Sequence, residues 1–204
     1  MSIHSDNSKI AGIIIAAGTS SRMGQAKQLL PFKHTTMLDQ VIQNCLESLL
    51  EPVIVVIGHD ANKIQTKVDF SKTTLVINDD FKQGQSSSLK AGLKKIPFKC
   101  NAAMFVLADQ PLVDKTIIDT IINEFNRSDS LIAIPYFEKK RGNPVIIHKT
   151  LFKRMEKLTG DSGARVLFDE HEQNTLKINI DDDAILFDID NPEDYKNLKQ
   201  MLGF

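Results

Sequence analysis

Residues 10–18 read IAGIIIAAG and run on through residues 19–27 as TSSRMGQAK. Ile10–Ala16 is a continuous apolar run, with neither the alternation of a half-exposed strand nor the spacing of an amphipathic helix. Closed by Gly18, it reads as a strand buried on both faces, the kind a parallel sheet contains. Further along, Met37–Leu50 carries Leu38, Val41, Ile42, Cys45, Leu46 and Leu49 at helical spacing, Pro52 stops it, and Val53–Ile57 is a second buried strand. A short helical stretch follows, then a strand at Thr74–Ile77, a helix at Ser86–Lys95, a strand at Ala102–Ala108, a helix at Thr116–Phe125 and a strand at Leu131–Pro135. Beyond Pro135 the pattern loosens: Val145–Ile147 and Thr175–Ile180 are strand-like, and Lys149–Leu158, Ala164–Asp169 and Asp194–Leu202 are helical. This alternation predicts an α/β fold around a doubly wound parallel sheet. Right-handed crossovers are expected to bring every strand's C-terminal end to one edge, where such sheets bind ligands.

The 204 residues fit one compact domain with its own core. Lys and Arg total 25 against 26 Asp and Glu, a net charge of -1, so bulk charge grips neither nucleic acid nor an anionic membrane. With no Trp and two Tyr, stacking platforms for single-stranded nucleic acid are not expected. Cys45 and Cys100 form no CxxC pair, and the five His (His4, His34, His59, His148, His171) follow no HxxxH or HExxH spacing, so neither a disulfide framework nor a zinc site is indicated. The polar start, with Asp6 and Lys9, meets an apolar run that is too short for a secretory signal and contains Gly12. No stretch approaches the ~20 apolar residues of a membrane span. A cytoplasmic protein is expected.

The loop after the first strand, Ala16–Lys27, lies at the ligand edge. Its small residues let the backbone approach a ligand, its N–H groups can cradle phosphate oxygens, and Arg22 and Lys27 add positive charge. It is not a Walker A loop, because Lys27 does not follow Gly24, and not a GxGxxG dinucleotide loop, because Ser20 stands where the second Gly belongs. On the residues alone, a Gly-Ser turn with surface charges is an equal reading. Asp109 ends a buried strand in LADQP, where it either ligates Mg²⁺ through oxygen or forms a turn before Pro111. Asp188 and Asp190 share a face if extended; the alternative is an exposed turn whose Asn191 caps the last helix. In NDDFKQGQSSSL, residues 78–89, Gly84 permits a tight turn and the serines open a helix, either as a ligand site or as a plain N-cap. Arg165 either pairs with a phosphate or lies on a helix surface, and Gly142-Asn143 can be no more than a turn.

Residues 14–31, IIAAGTSSRMGQAKQLLP, closely resemble the LAAGxSxRMGxxKxLLP signature of nucleotidyltransferases of the molybdenum-cofactor type. The segments ADQP, DIDNPED, NDDFKQGQSSSL, GNPV and GDSGAR are similar to further motifs of that family, in the family's order. Asn191 stands where Thr is usual. The resemblance runs from about Ile10 to Tyr195, and the AAG, SSRMG and GDSGAR strings look closest to the cytidylyltransferase members.

That resemblance implies a Rossmann-like three-layer sandwich of the nucleotide-diphospho-sugar transferase type, with a nucleotide-binding half at about 10–110 and an acceptor-binding half at about 111–204. It implies that Ala16, Ala17, Gly18, Arg22 and Lys27 hold the nucleotide, with Asn78, Gly84, Ser86 and Ser87 lining its pocket. Asp109 and Asp190 would hold Mg²⁺, with Asp188 a weaker ligand; Lys27, Arg22 and Asp109 would serve catalysis, and Asn143, Pro144 and Arg165 the acceptor. His59, in a GH dipeptide common in the family, is a minor candidate. The implied reaction is transfer of CMP from CTP to the terminal phosphate of molybdopterin, with loss of pyrophosphate. Implied partners are CTP or another nucleoside triphosphate, the phosphorylated pterin cofactor and a client molybdoenzyme, but neither nucleic acid nor membrane. The alternatives are a guanylyl or sugar-phosphate nucleotidyltransferase of the same fold, or a non-catalytic protein that delivers cofactor to a molybdoenzyme. A dinucleotide-using oxidoreductase is disfavoured by the missing GxGxxG.

Overall fold

The computed structural model describes residues 9–161 and 163–204, so Met1–Ser8 and Ser162 of the GDSGAR segment lie outside the described residues. In chain order the elements are β1 (Lys9–Ala16), β2 (Pro31–Phe32), β3 (Thr35–Thr36), α1 (Met37–Leu46), β4 (Val53–Ile57), α2 (Ala61–Gln65), β5 (Thr74–Ile77), α3 (Gln85–Leu93) and β6 (Cys100–Leu107). There follow α4 (Lys115–Asn126), β7 (Ile132–Phe137), β8 (Lys140–Arg141), β9 (Val145–His148), α5 (Phe152–Met155), α6 (Arg165–Glu170), β10 (Thr175–Asn179) and α7 (Pro192–Leu202). The main sheet runs β10-β7-β9-β6-β1-β4-β5, with β8 paired to β7 and β2-β3 forming a separate hairpin.

The central strand β1 pairs in parallel with β4 on one side and β6 on the other. Successive side chains point to opposite faces, so Ile14 joins Leu38, Val41, Ile118 and Ile121 of α1 and α4, while Ile13 joins Leu89, Leu93, Leu167 and Phe168 of α3 and α6. Three layers result. A Cβ on Gly92 of α3 would stand 2.5 Å from Ile13 Cγ2, so this helix lies as close to the sheet as a glycine permits. A third, smaller core packs α7 through Leu198 against Met23, Leu30 and Phe32, tying the C-terminus to the segment after the glycine loop.

Three expectations need correction. Strand β9 is antiparallel to both β6 and β7, so not every strand ends at the same edge. Its connection to β7 contains only the β8 hairpin, and a parallel return needs a longer crossover. Helix α1 stops at Leu46 instead of reaching Leu50. There Ser48 Oγ donates to the Cys45 carbonyl, the Leu49 N–H donates to Asp119 Oδ1, and Leu46 and Leu49 are exposed. The span Lys149–Leu158 is a 3₁₀ turn followed by the short α5, although Leu151, Met155 and Leu158 still bury one face. No helix among the described residues is long and apolar enough to cross a membrane.

Candidate functional site

The loop leaving β1 is shaped from within. Ser20 and Gly24 take positive φ (50° and 66°), which lets the chain close a 3₁₀ turn at Ser21–Met23. Gln28 is 2% exposed. Its Nε2 donates to the carbonyls of Ala16 at 2.9 Å and Gly18 at 3.3 Å, while Ser20 Oγ accepts from the Lys27 N–H. A buried amide thus satisfies the buried Ala16 carbonyl and ties it to the exposed Gly18, which fixes the loop's course. Gln28 was missed in the sequence because it sits between Lys27 and Leu29 like an ordinary polar residue; only its burial marks it.

The second half of the chain meets this loop through the C-terminal segment before α7. The Ile189 N–H donates to the Asp109 carbonyl, and Ile189 is fully buried. Gln110, 1% exposed, donates through Nε2 to the Ile185 carbonyl and to Asp188 Oδ1. At the start of α7, Asn191 accepts from the Glu193 and Asp194 N–H groups, and the Asp194 carboxylate accepts from Asp190 and Asn191. The expected cap at Asn191 is therefore present, and it also fixes the backbone of Asp190.

These constraints bring Lys27, Asp109 and Asp190 together from positions far apart in the chain. Lys27 Nζ lies 2.5 Å from Asp109 Oδ2 and 3.1 Å from Asp190 Oδ1, and Arg22 reaches Asp190 Oδ2 at 3.1 Å. Burial opposes the charge on Lys27, but Asp109 and Asp190 outweigh it and hold the ammonium above its ordinary value. Burial likewise works against the Asp190 carboxylate, and Lys27 and Arg22 overcome it, so this group is held low. Burial of the Asp188 carboxyl, then the charge of Asp109, push it up to about 6, although the residue as a whole is exposed.

A cleft of about 420 Å³ opens beside this cluster. Of the expected residues, Ala16, Ala17, Gly18, Lys27, Gly84 and Asp109 line it. So do Gln28, Phe81, Gln85, Ser88 and Asp161, which sequence reading did not single out. Gly84 is required there: its φ is +96°, and a Cβ would stand 2.5 Å from the Gly160 backbone. Asn78 and Ser87 are turned elsewhere. Asn78 Nδ2 donates to the Ser87 and Ser88 hydroxyls, Ser87 Oγ donates to the Gly84 carbonyl, and both residues border a neighbouring depression. Ser86 is buried, and its N–H donates to the Gly160 carbonyl. His59 packs edge-on to Phe81 with Nδ1 3.3 Å from Asp60. Asn143 and Arg165 line a second recess, while Pro144 is buried and outside its lining.

The acid pair fits a hard cation. Asp109 Oδ1 is buried and has no hydrogen-bond partner among the described residues, and both carboxylates already converge on one ammonium. No group of three or more His, Cys, Asp or Glu among the described residues is arranged for a metal, so the donor set is two carboxylates. Mg²⁺ suits such a set, since it commonly takes its remaining ligands from phosphate oxygens and water.

A glycine loop, a lysine and two acids at the edge of a three-layer, mostly parallel sheet define a protein of the nucleotidyltransferase class. The chain belongs to the family described as the MobA-like NTP transferase domain, which it matches over residues 12–175. It is 29% identical over 196 residues to the molybdenum cofactor cytidylyltransferase of Escherichia coli (strain K12), covering 95% of this chain and 97% of that one. It is also 26% identical over 192 residues to the nicotine blue oxidoreductase of Paenarthrobacter nicotinovorans, covering 90% and 93%. The crystal structure of Rv0371c from Mycobacterium tuberculosis H37Rv superposes with a TM-score of 0.87 at 25% identity, covering 95% of this chain and 98% of that one.

Proposed function

We propose that this protein transfers CMP from CTP to the terminal phosphate of molybdopterin, as the molybdenum cofactor. The single observation that carries the reading is the glycine-loop Lys27 held between Asp109 and Asp190 at the mouth of the nucleotide-sized cleft. An oxygen of the acceptor's phosphate forms a bond to the α-phosphorus of CTP, the bond from that phosphorus to the bridging oxygen breaks, and pyrophosphate leaves. The protein's contribution is positioning and charge neutralisation. The loop Ala16-Ala17-Gly18 cradles the triphosphate, and Lys27 and Arg22 offset the charge that grows on pyrophosphate. Asp109 and Asp190 would hold Mg²⁺, which when bound supplies Lewis-acid polarisation of the phosphate oxygens. Residues of about 10–110 serve the nucleotide, and those of about 111–204 serve the acceptor and lend Asp190 to the centre.

The sequence similarity to the Escherichia coli cytidylyltransferase, with AAG in the loop, supports CTP as the donor. A thermal-shift panel of CTP, GTP, ATP and UTP with Mg²⁺, followed by pyrophosphate release on adding molybdenum cofactor, tests the proposal. CTP is expected to give the largest shift and cofactor-dependent release. A larger shift and release with GTP would reassign the donor, and no shift with any nucleotide would overturn the reading.

A further inference from the structure

The second recess, of about 120 Å³, shares Ile15, Gln85 and Leu107 with the nucleotide cleft, so the two are contiguous. Its floor is apolar, including Phe105, Val145 and Phe168, and no Asp or Glu among the described residues lines it. Two arginines, Arg141 and Arg165, line the recess with that floor. Arg165 and Phe168 are three residues apart on α6 and so share one face of the helix. Arg141 arrives from the β8 hairpin and lies over the Phe168 ring at 5.1 Å from its centroid. Neither arginine has a salt-bridge partner among the described residues, although Asp and Glu are as common in this chain as Lys and Arg. An arginine held over an aromatic ring by cation–π attraction loses little freedom when it binds an anion.

We propose that Arg141 and Arg165 form an anion clamp for a phosphomonoester carried on a flat, apolar-faced ring, with Arg141 held in place by its cation–π contact with Phe168. The proposal rests on the nucleotidyltransferase reading by naming how the acceptor is gripped, and it adds Arg141 and Phe168 as residues that no sequence motif had marked. Arg141 is a binding residue and Phe168 a positioning residue. The shared wall of the two recesses sets the clamped phosphate beside the cleft that holds the triphosphate.

Phenyl phosphate is the probe. Its titration is followed through the side-chain Nε–H resonances of arginine in ¹⁵N spectra, assigned with Arg141→Lys and Arg165→Lys, with CTP and Mg²⁺ present to fill the first cleft. The Arg141 and Arg165 resonances are expected to shift with one common saturation curve. Arg141→Ala is expected to weaken phenyl phosphate about ten- to a hundredfold, and Phe168→Leu about three- to tenfold, while Arg141→Lys keeps part of the affinity. With molybdenum cofactor as acceptor, Arg141→Ala should raise the acceptor KM and leave the CTP thermal shift unchanged. Unmoved Arg141 and Arg165 resonances, or full affinity in Arg141→Ala, would overturn the clamp. If phenyl phosphate binds as expected and no nucleotide shifts the melting temperature, the clamp stands and the assigned reaction falls.

Discussion

Lys27→Met, studied without divalent cations, isolates the interaction at the centre of the site. The substitution keeps an unbranched chain of similar length and removes the charge that neutralises Asp109 and Asp190. Breaking a fully buried pair costs about 3–5 kcal/mol, and an exposed pair is worth about 0–1 kcal/mol. Here the side chains of Lys27 and Asp109 are 16% and 18% exposed and that of Asp190 is 35% exposed, so the environment lies between these limits. The expected loss is about 1–3 kcal/mol, or about 3–10 °C in Tm for a chain of this size. The cost comes from stranding Asp109, whose Oδ1 already lacks a partner among the described residues. The double variant Lys27→Met/Asp109→Asn should therefore recover much of it, a non-additivity that a mutant cycle measures. Mg²⁺ at ten times its dissociation constant adds about 1.4 kcal/mol by mass action. It should stabilise Lys27→Met more than the native chain, in which the ammonium competes for the same oxygens. Equal melting of Lys27→Met and the native chain without Mg²⁺ would refute the energetic argument. A Lys27→Met variant indifferent to Mg²⁺ would refute the cation site.

Gln28→Ala strands the buried Ala16 carbonyl and releases that of Gly18, which should cost about 1–3 kcal/mol in urea unfolding and weaken nucleotide binding about tenfold in titration. Gly92→Ala drives a methyl to 2.5 Å from Ile13 Cγ2; overpacking of about 1–3 kcal/mol exceeds the gain in helix propensity of up to about 1, so the urea midpoint should fall at constant m. Burial pushes the Cys45 thiol up to about 12 and raises Cys100 as well, so a disulfide reagent at pH 8 should label neither until the chain unfolds. Asn191→Ala removes a cap, with an expected loss of about 1 kcal/mol in thermal unfolding and a raised Mg²⁺ requirement, because Asp190 shares the backbone that the cap holds.

Much of the fold was legible. Thr74–Ile77 and Val53–Ile57 occupy the residues expected of them, and the remaining parallel strands fall within a residue or two. Interior strands such as Val53–Ile57 are legible because a strand buried on both faces must be apolar. The edge strands Thr74–Ile77 and Thr175–Asn179 are partly exposed and show instead as short β-branched and apolar runs between polar turns. What failed depended on chain reversal. No local signal distinguishes β9 as antiparallel, since Val145–His148 is as apolar as its neighbours; its direction follows from the short hairpin before it. The end of α1 is not legible because Leu49 keeps the helical period while its backbone is bound to Asp119, far along the chain. At the site, the motif residues Lys27, Asp109 and Gly84 do meet in one cleft, whereas Asn78 and Ser87 spend their polar atoms on each other and on Ser88 and Gly84.

The sequence by itself determined the buried strands, the glycine loop and the identities of the charged residues, because periodicity and residue chemistry are local properties of the chain. Only the tertiary structure decided which charges meet. The Ile189–Asp109 backbone bond and the Asn191–Asp194 cap carry Asp190 to Lys27. Gln28 and Gln110, unremarkable as letters, become the struts of the site through burial. The pairing of Arg141 with the Phe168 ring exists only because the fold brings a β8 side chain to one on α6. Such contacts join residues distant in the chain, and their strength depends on the water excluded around them, which no local pattern records.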